Sequence, residues 1–409
     1  MKETKFKDTE IGRIPEEWET LYIHQITEIS TGATPSTNIN EYWDNGTLRW
    51  MSSGELNNKI IYDVNGRITQ KGYDNTGTHM LPKNCVLIGL AGQGKTRGTA
   101  AYNKVELCTN QSIAAILPNS KYESKYLYFY IDSLYDKLRL LSAGDGGRGG
   151  LNKQILQNLE IAMPPLNEQH HIASALTSID NLIASLGKLI EKKKNIKQGA
   201  MQQLLTGKTR LKGFTEPWVY RKISEIATTS SGGTPSRSIP NYYYGDIKWF
   251  TTTELKDNYL YDSVEHITRE ALNNSSAKMF SANTILMAMY GATIGKLGVL
   301  KEPSTTNQAC CAIKCNDIVE IFLFYILLYN RKSIIEKGCG AGQPNISQAI
   351  VNELSFLVPP CEKEQQAIAT ILTKMDNEIT ALEAKRAKYE AIKQGMMQQL
   401  LTGKIRLIS

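Results

Sequence analysis

The chain has 409 residues, 41% of them apolar and 21% charged, with a formal net charge of +7. That length exceeds one ordinary core and asks for two or more domains, while the composition excludes a disordered chain. No apolar run reaches the roughly 18 residues of a membrane helix, and the positive charge permits a nucleic-acid partner without requiring one.

The N-terminal run MKETKFKDTEIGRIPEEW is charged and lacks an apolar stretch, so no secretory signal is expected and the chain reads as cytoplasmic. Its seven cysteines are then expected to be reduced thiols. TGATPS follows at 31–36, a loop of small residues offering Thr34, Ser36 and Thr37. Hydroxyl-rich loops suit phosphate contacts, and they equally satisfy their own backbone as turns. An aromatic run, EYWDNGTLRW (41–50), contains Trp43 and Trp50, which are expected in the core.

GLAGQGKT (89–96) fits G-x-x-x-x-G-K-[ST], the phosphate-cradling loop of nucleotide-hydrolysing enzymes. Such a loop must open a helix, whose N-terminus faces the phosphates. Here TRGTAAYNKVELC follows, with Gly98 close by and no 3.6-residue apolar period. The segment is therefore expected to be a glycine-rich turn between strands, exposing Lys95 and Arg97. SKYLYFYIDSLYDKL (124–138) reads as helical, and the glycine-rich GDGGRGG (144–150) carries Arg148 as a polar reader.

MPPLNEQ (163–169) ends this β-rich part. Proline stops the preceding run and pre-sets φ for a helix start. Apolar residues then fall at Ile172, Leu176, Ile179, Ile183, Leu186 and Ile190, a seam with alternating steps of four and three. A helix of about 39 residues would run ~58 Å at ~1.5 Å per residue. It ends in QQLLTGK, residues 202–208.

From there the chain repeats itself. SGGTPS (231–236) answers TGATPS and offers Thr234, Ser236 and, next to them, Arg237. NYYYGDIKWF answers the aromatic run, with Trp249. TNQACCAI (306–313) answers TNQSIAAI (109–116), and VPPCEKEQ (358–365) answers MPPLNEQ. A second seam runs through Ile368, Leu372, Met375, Ile379 and Leu382, and QQLLTGK recurs at 398–404. Two charged amphipathic helices with matching seams should pair. Four segments result: 1–165, 166–212, 213–360 and 361–409.

Duplication acts as an internal control, because chemistry shared by both copies needs shared residues. The second counterpart of GLAGQGKT is AMYGATIGKLG (288–298), which lacks the first glycine and the magnesium-binding hydroxyl. A nucleotide site is rejected, and Lys296 is kept as a surface cation like Lys95. Cys310 and Cys311 take the places of Ile113 and Ala114, so buried thiols are expected rather than a metal site. GCGAGQPN (338–345) answers GDGGRGG and carries Gln343. MPPL and VPPC lack the polar residue and stacking aromatic of an adenine methyltransferase motif.

The series TGATPS/SGGTPS, EYW/NYYY, TNQ, PPLNEQ/PPCEKEQ and QQLLTGK, in order and present twice, resembles specificity subunits of type I restriction–modification systems over nearly the whole chain. The resemblance implies an α+β fold of two repeated units. Each would be a β-rich target recognition domain (1–165 and 213–360) followed by a spacer helix (166–212 and 361–409), the helices pairing as an antiparallel coiled coil. It implies no catalytic residue and no cofactor on this chain. S-adenosylmethionine, ATP and magnesium would sit on partners: two methyltransferase subunits, and restriction–translocase subunits in the full complex.

The target would be double-stranded DNA read as an asymmetric bipartite sequence, with no membrane involved. DNA contact is expected from Thr34, Ser36, Thr37, Lys95, Arg97, Arg148, Thr234, Ser236, Arg237, Lys296 and Gln343. Asn110–Gln111 and Asn307–Gln308, common to both copies, suit scaffold or phosphate contact. Sequence choice should sit where the copies disagree, as in 57–80 against 256–279. The repeated helix ends offer Glu168, Gln169, Gln202, Gln203, Glu364, Gln365, Gln398 and Gln399 for docking two identical partners, or for packing on the globular parts. A DNA binder without sequence preference, or a coiled-coil scaffold, remains the alternative.

Overall fold

A computed structural model describes residues 4–92, 94–142, 150–338 and 345–408. The chain divides into two units, residues 1–187 with 384–409 and residues 188–383. The units share one topology. In the first, a five-stranded sheet runs Ile29–Thr31, Ile113–Ile116, Val86–Gly89, Ala100–Asn103, Ile60–Ile61 from edge to edge. In the second the order is Ala227–Ser231, Cys310–Cys315, Ile285–Ala288, Leu297–Leu300, Asn258–Leu260. All but the last pairing in each sheet are antiparallel.

The central strands read as unbroken apolar runs because both sheet faces are covered. In unit one Val86, Ile88, Ala114 and Ile116 face the main core, while Leu87, Ile113 and Ala115 face a smaller one. In unit two Ile285, Met287, Cys311 and Ile313 face the main core, and Leu286, Ala288, Cys310 and Ala312 the smaller one. Cys310 and Cys311 therefore point to opposite faces of one strand, which separates them as ligands. Among the described residues no three His, Cys, Asp or Glu side chains gather as a metal-ligand set. Burial pushes the thiols of Cys85, Cys310 and Cys311 up to about 12 and that of Cys108 to about 11. A thiol raised this far stays protonated at pH 8, and the thiolate is the nucleophile. Iodoacetamide at pH 8 should leave these four unmodified in the folded chain and alkylate them once guanidinium unfolds it, as mass spectrometry would read.

The helix expected near 124–138 is two helices, Ser124–Ser133 and Tyr135–Leu141, matched by Glu320–Tyr329 and Arg331–Lys337. The long helices span Leu166–Leu204 and Glu362–Leu400. Each is shared between the units, and within each unit the two run antiparallel. In unit one Asp180 pairs with Lys393 at 2.6 Å and Glu168 with Arg406 at 2.7 Å. In unit two Asp376 pairs with Lys197 at 2.5 Å, Glu378 with Lys193 at 2.6 Å and Glu364 with Arg210 at 2.8 Å. Lys193, Lys197 and Arg210 are thus paired inside their own unit.

The seam serves two partners. Ile172 and Leu176 lie in the main core of unit one, and Ile368 and Leu372 in that of unit two. The same cores are completed by the far ends of the opposite helices. Met397, Leu400 and Leu401 enter unit one, and Met201, Leu204 and Leu205 enter unit two. Three residues beyond each helix the chain passes through a glycine in the left-handed region, Gly207 at φ +67° and Gly403 at φ +68°, where a side chain would be strained. Among the described residues no helix is long and apolar enough to cross a membrane.

Candidate nucleic-acid interface

Sheet register gathers the expected contact residues at one end of each five-stranded sheet. In unit one Ala114 lies opposite Thr31 and Ile113 opposite Gly89. The TGATPS loop, the Asn110–Gln111 turn and the turn after Gly89 therefore all leave from the same end. In unit two Cys311 lies opposite Ser231 and Cys310 opposite Ala288, with the same result. Leu90 N donates to Ser112 O at 2.8 Å and Met289 N to Ala309 O at 2.9 Å, tying two of these loops together in each unit.

The loops are held by one framework written twice. Thr34 Oγ1 donates to Gln111 Oε1 at 2.6 Å, and Thr234 Oγ1 donates to Gln308 Oε1. Trp50 Nε1 donates to Ala33 O at 3.0 Å, and Trp249 Nε1 to Gly233 O at 2.9 Å. Trp43 Nε1 reaches Ser36 O at 3.0 Å, and Tyr243 OH reaches Pro235 O at 2.7 Å. The rings meet edge to face in both units. Trp249 is buried as expected, whereas Trp43 and Trp50 are half-buried and work as pins for the loop. The shared Asn-Gln turn is thus a scaffold, with Asn110 and Asn307 closing it on the backbone N–H of Ser112 and Ala309.

Glycine lets the loop lie flat on its neighbour. A Cβ at Gly32 would overlap the carbonyl of Thr109, and one at Gly232 that of Thr306. Gly32→Ala should therefore displace the loop and destabilise unit one by about 1–3 kcal/mol, the usual cost of overpacking. Unchanged thermal unfolding of that variant would contradict the close approach.

Ser36, Thr37, Ser236 and Arg237 are exposed, Thr34 is exposed and Thr234 half-buried. Val86–Gly89 and Ala100–Asn103 form an antiparallel hairpin, and the described residues of GLAGQGKT after Gly89 lie between its strands, with Lys95 exposed. Arg97 lies back on the body, with Nη1 3.5 Å from Ser142 Oγ. Lys296 departs from the expectation. Gly98 N bonds Gly89 O and Gly295 N bonds Ala288 O, so Lys296 stands in the register of Thr99, not of Lys95. Its Nζ sits 3.0 Å from Asp257 Oδ2, a carboxylate that also takes Arg331. Lys296 stands beside the turn rather than at its tip, in an ion pair that leaves 44% of its side chain exposed. Arg148 and Gln343 lie outside the described residues.

Four of the expected docking residues are spent inside the units. Glu168 accepts from Trp18 Nε1 at 3.0 Å and from Arg406 Nε and Nη2 at 2.7 and 2.8 Å. Glu364 accepts from Arg210 Nε and Nη2, both at 2.8 Å. Gln169 accepts from Glu123 N and donates to Pro164 O, and Gln365 does the same with Val319 N and Pro359 O. These are buried polar groups satisfying helix starts and ion pairs. A partner cannot touch them without breaking those bonds. Gln202, Gln203 and Gln398 are exposed, and Gln399 is half-buried.

Sequence reasoning missed Tyr243 and Glu265. Glu265 stands in the divergent stretch 256–279, and nothing in a 28-residue separation signals its pairing with Arg237.

The model of the type I restriction modification DNA specificity domain matches residues 15–197 and again 215–394. The chain is 28% identical to the MjaVIII type I restriction enzyme specificity subunit of Methanocaldococcus jannaschii, over 99% of this chain and 97% of that one. The crystal structure of the type I restriction–modification S subunit from M. genitalium superposes with a TM-score of 0.63 at 16% identity, covering 94% of this chain and 96% of that one. A chain from a structural study of complex assembly in a type I restriction–modification system gives a TM-score of 0.58 at 15% identity, covering 96% and 99%. Matched twice by the same domain along most of its length, the chain belongs to the specificity subunits of type I restriction–modification systems, their non-catalytic DNA-specifying members.

Proposed function

We propose that this chain reads an asymmetric bipartite sequence in double-stranded DNA, one half-site per unit, and carries two methyltransferase subunits, which restriction–translocase subunits join in the full complex. The observation that carries the reading is a common framework with unlike surfaces. Thr34–Gln111 and Thr234–Gln308 hold the same loop in the same place, while the side chains beyond it differ, as Thr37 and Arg237 do. Two like scaffolds with unlike faces suit two different half-sites.

On this reading the loop hydroxyls and Lys95 position the phosphates, and side chains that differ between units meet base edges. S-adenosylmethionine, ATP and magnesium belong to the partners. A methyltransferase must swing its adenine out of the stack, so this chain holds the duplex while it is deformed. With the Glu-Gln pairs buried, docking falls to exposed faces of the helix ends, where Gln202, Gln203 and Gln398 stand. The test is a genome-wide map of adenine methylation with the gene intact and deleted. Loss of methylation at one asymmetric two-part motif is expected. An unchanged map in cells that express the methyltransferase partner overturns the proposal.

A further inference from the structure

Arg237 follows the Thr234-Pro235-Ser236 loop, and 54% of its side chain is exposed. Its guanidinium is nonetheless fixed. Nη1 and Nη2 donate to Glu265 Oε1 and Oε2 at 2.5 and 2.8 Å. Its Cζ lies 4.1 Å from the centroid of the Tyr243 ring and 5.2 Å from that of Trp249. Both rings are pinned in turn to the loop carbonyls of Pro235 and Gly233. A lone surface ion pair seldom holds a long side chain in one geometry. Here a two-bond carboxylate fork and two aromatic faces do so together.

A guanidinium has two edges that present paired donors. Glu265 occupies the end-on edge, Nη1 with Nη2. The side edge, Nε–H with the remaining Nη2–H, has no hydrogen-bond partner among the described residues. A rigid pair of parallel donors fits two acceptors side by side. In the major groove guanine presents such a pair, O6 and N7.

The internal comparison separates this from a phosphate clamp. Unit one keeps the framework, with Trp43 and Trp50 pinning the loop. Sequence alignment puts Thr37 where Arg237 stands. Strand register puts Gly66 where Glu265 stands, since Trp50 N bonds Gly66 O and Trp249 lies opposite Glu265. The arginine and its anchor are present together in one unit and absent together in the other. A contact to the uniform backbone would serve both units, whereas a base contact belongs to one.

We infer that Arg237, positioned by Glu265 and Tyr243, reads a guanine in the half-site of the 188–383 unit. This rests on the bipartite reading above and names one base and its reader within it. The test uses the full chain assembled with its methyltransferase subunits, selecting from a pool of random duplexes. The wild type should select two half-sites, one of them with a strongly preferred guanine. In Arg237→Ala and in Arg237→Lys, which keeps the charge without the fork, that preference should fall on the order of tenfold to a hundredfold. Every other position should keep its preference. Glu265→Gln should weaken the same single position, which general loosening of the unit would not do. Three results overturn the inference: Arg237→Ala weakening all duplexes evenly, as loss of a phosphate contact would; no change; or a lost preference for a base other than guanine. Failure of the wild type to select any sequence would sink the bipartite reading itself, before any variant is compared.

Discussion

Arg406→Met should destabilise the first unit by about 3–5 kcal/mol, the usual cost of leaving one member of a buried ion pair alone. The side chain of Arg406 is 6% exposed and that of Glu168 1% exposed. Two guanidinium hydrogen bonds reach Glu168, and a third from Nη2 reaches Glu17 at 2.9 Å. Removal strands the Glu168 carboxylate with only Trp18 Nε1 and, more weakly, Leu407 N at 3.3 Å. The corresponding Arg210→Met should cost the second unit less. Arg210 is 27% exposed, so water can partly resolvate Glu364 when it is lost. Two units need not unfold as one, so a single midpoint would blur the result. Native-state hydrogen exchange resolves it. Faster opening of Val86–Gly89 and Ile113–Ile116, with Ile285–Ala288 unaffected, is the expected pattern. Equal losses for the two arginines would show that burial does not set the difference. Replacing Glu168 and Arg406 together by Met should cost less than Arg406→Met alone, because no charge is then left buried.

How much of this the sequence could announce depends on the range of each interaction. The helix seams follow a local period, so a helix of 39 residues is legible in each copy, but Leu166–Leu204 and Glu362–Leu400 stop short of the ends of the segments 166–212 and 361–409. Buried central strands are runs such as VLIG and IAAI, legible because apolar continuity is local. The glycine turn was legible because a hairpin and a phosphate loop differ in what immediately follows. For Glu168 and Gln169 the sequence leaves docking and internal packing open for the opposite reason, and the structure shows the packing. Their partners Arg406 and Glu123 lie 238 and 46 residues away, and identity between the copies looks the same whether it serves a second protein or the chain itself. Lys296 matches Lys95 in sequence because GK occurs in both copies, and only strand register sets it in the place of Thr99. Arg237 was found as a charged loop residue, but its fixed orientation comes from a carboxylate 28 residues on, which no spacing rule supplies.

Leu401→Ala is the sharper test of how the units are closed. Leu401 is 3% exposed and packs, with Leu400 and Met397, in a core whose other members come from residues 14–176. Truncating a buried leucine costs about 2–5 kcal/mol, more where the cavity cannot collapse. The loss should appear in the first unit, although Leu401 belongs to the second copy of the repeat. Leu205→Ala, from the first copy, should weaken the second unit instead. If each helix end served its own copy, exchange protection would change in the opposite units, and the crossed arrangement would be wrong. The crossing also accounts for where the copies agree. QQLLTGK supplies core leucines, a left-handed glycine and the approach of Arg210 or Arg406 to a buried glutamate, all of which must fit a core encoded elsewhere in the chain. A substitution there is tested against a distant partner and has little freedom. The exposed loop ends close no core, and the one anchor there, Glu265, is present with Arg237 and absent with Thr37, so the two positions could diverge on an unchanged framework. Constancy at the helix ends and divergence at the sheet ends thus have one physical cause: the first set of residues closes the fold, and the second faces outward.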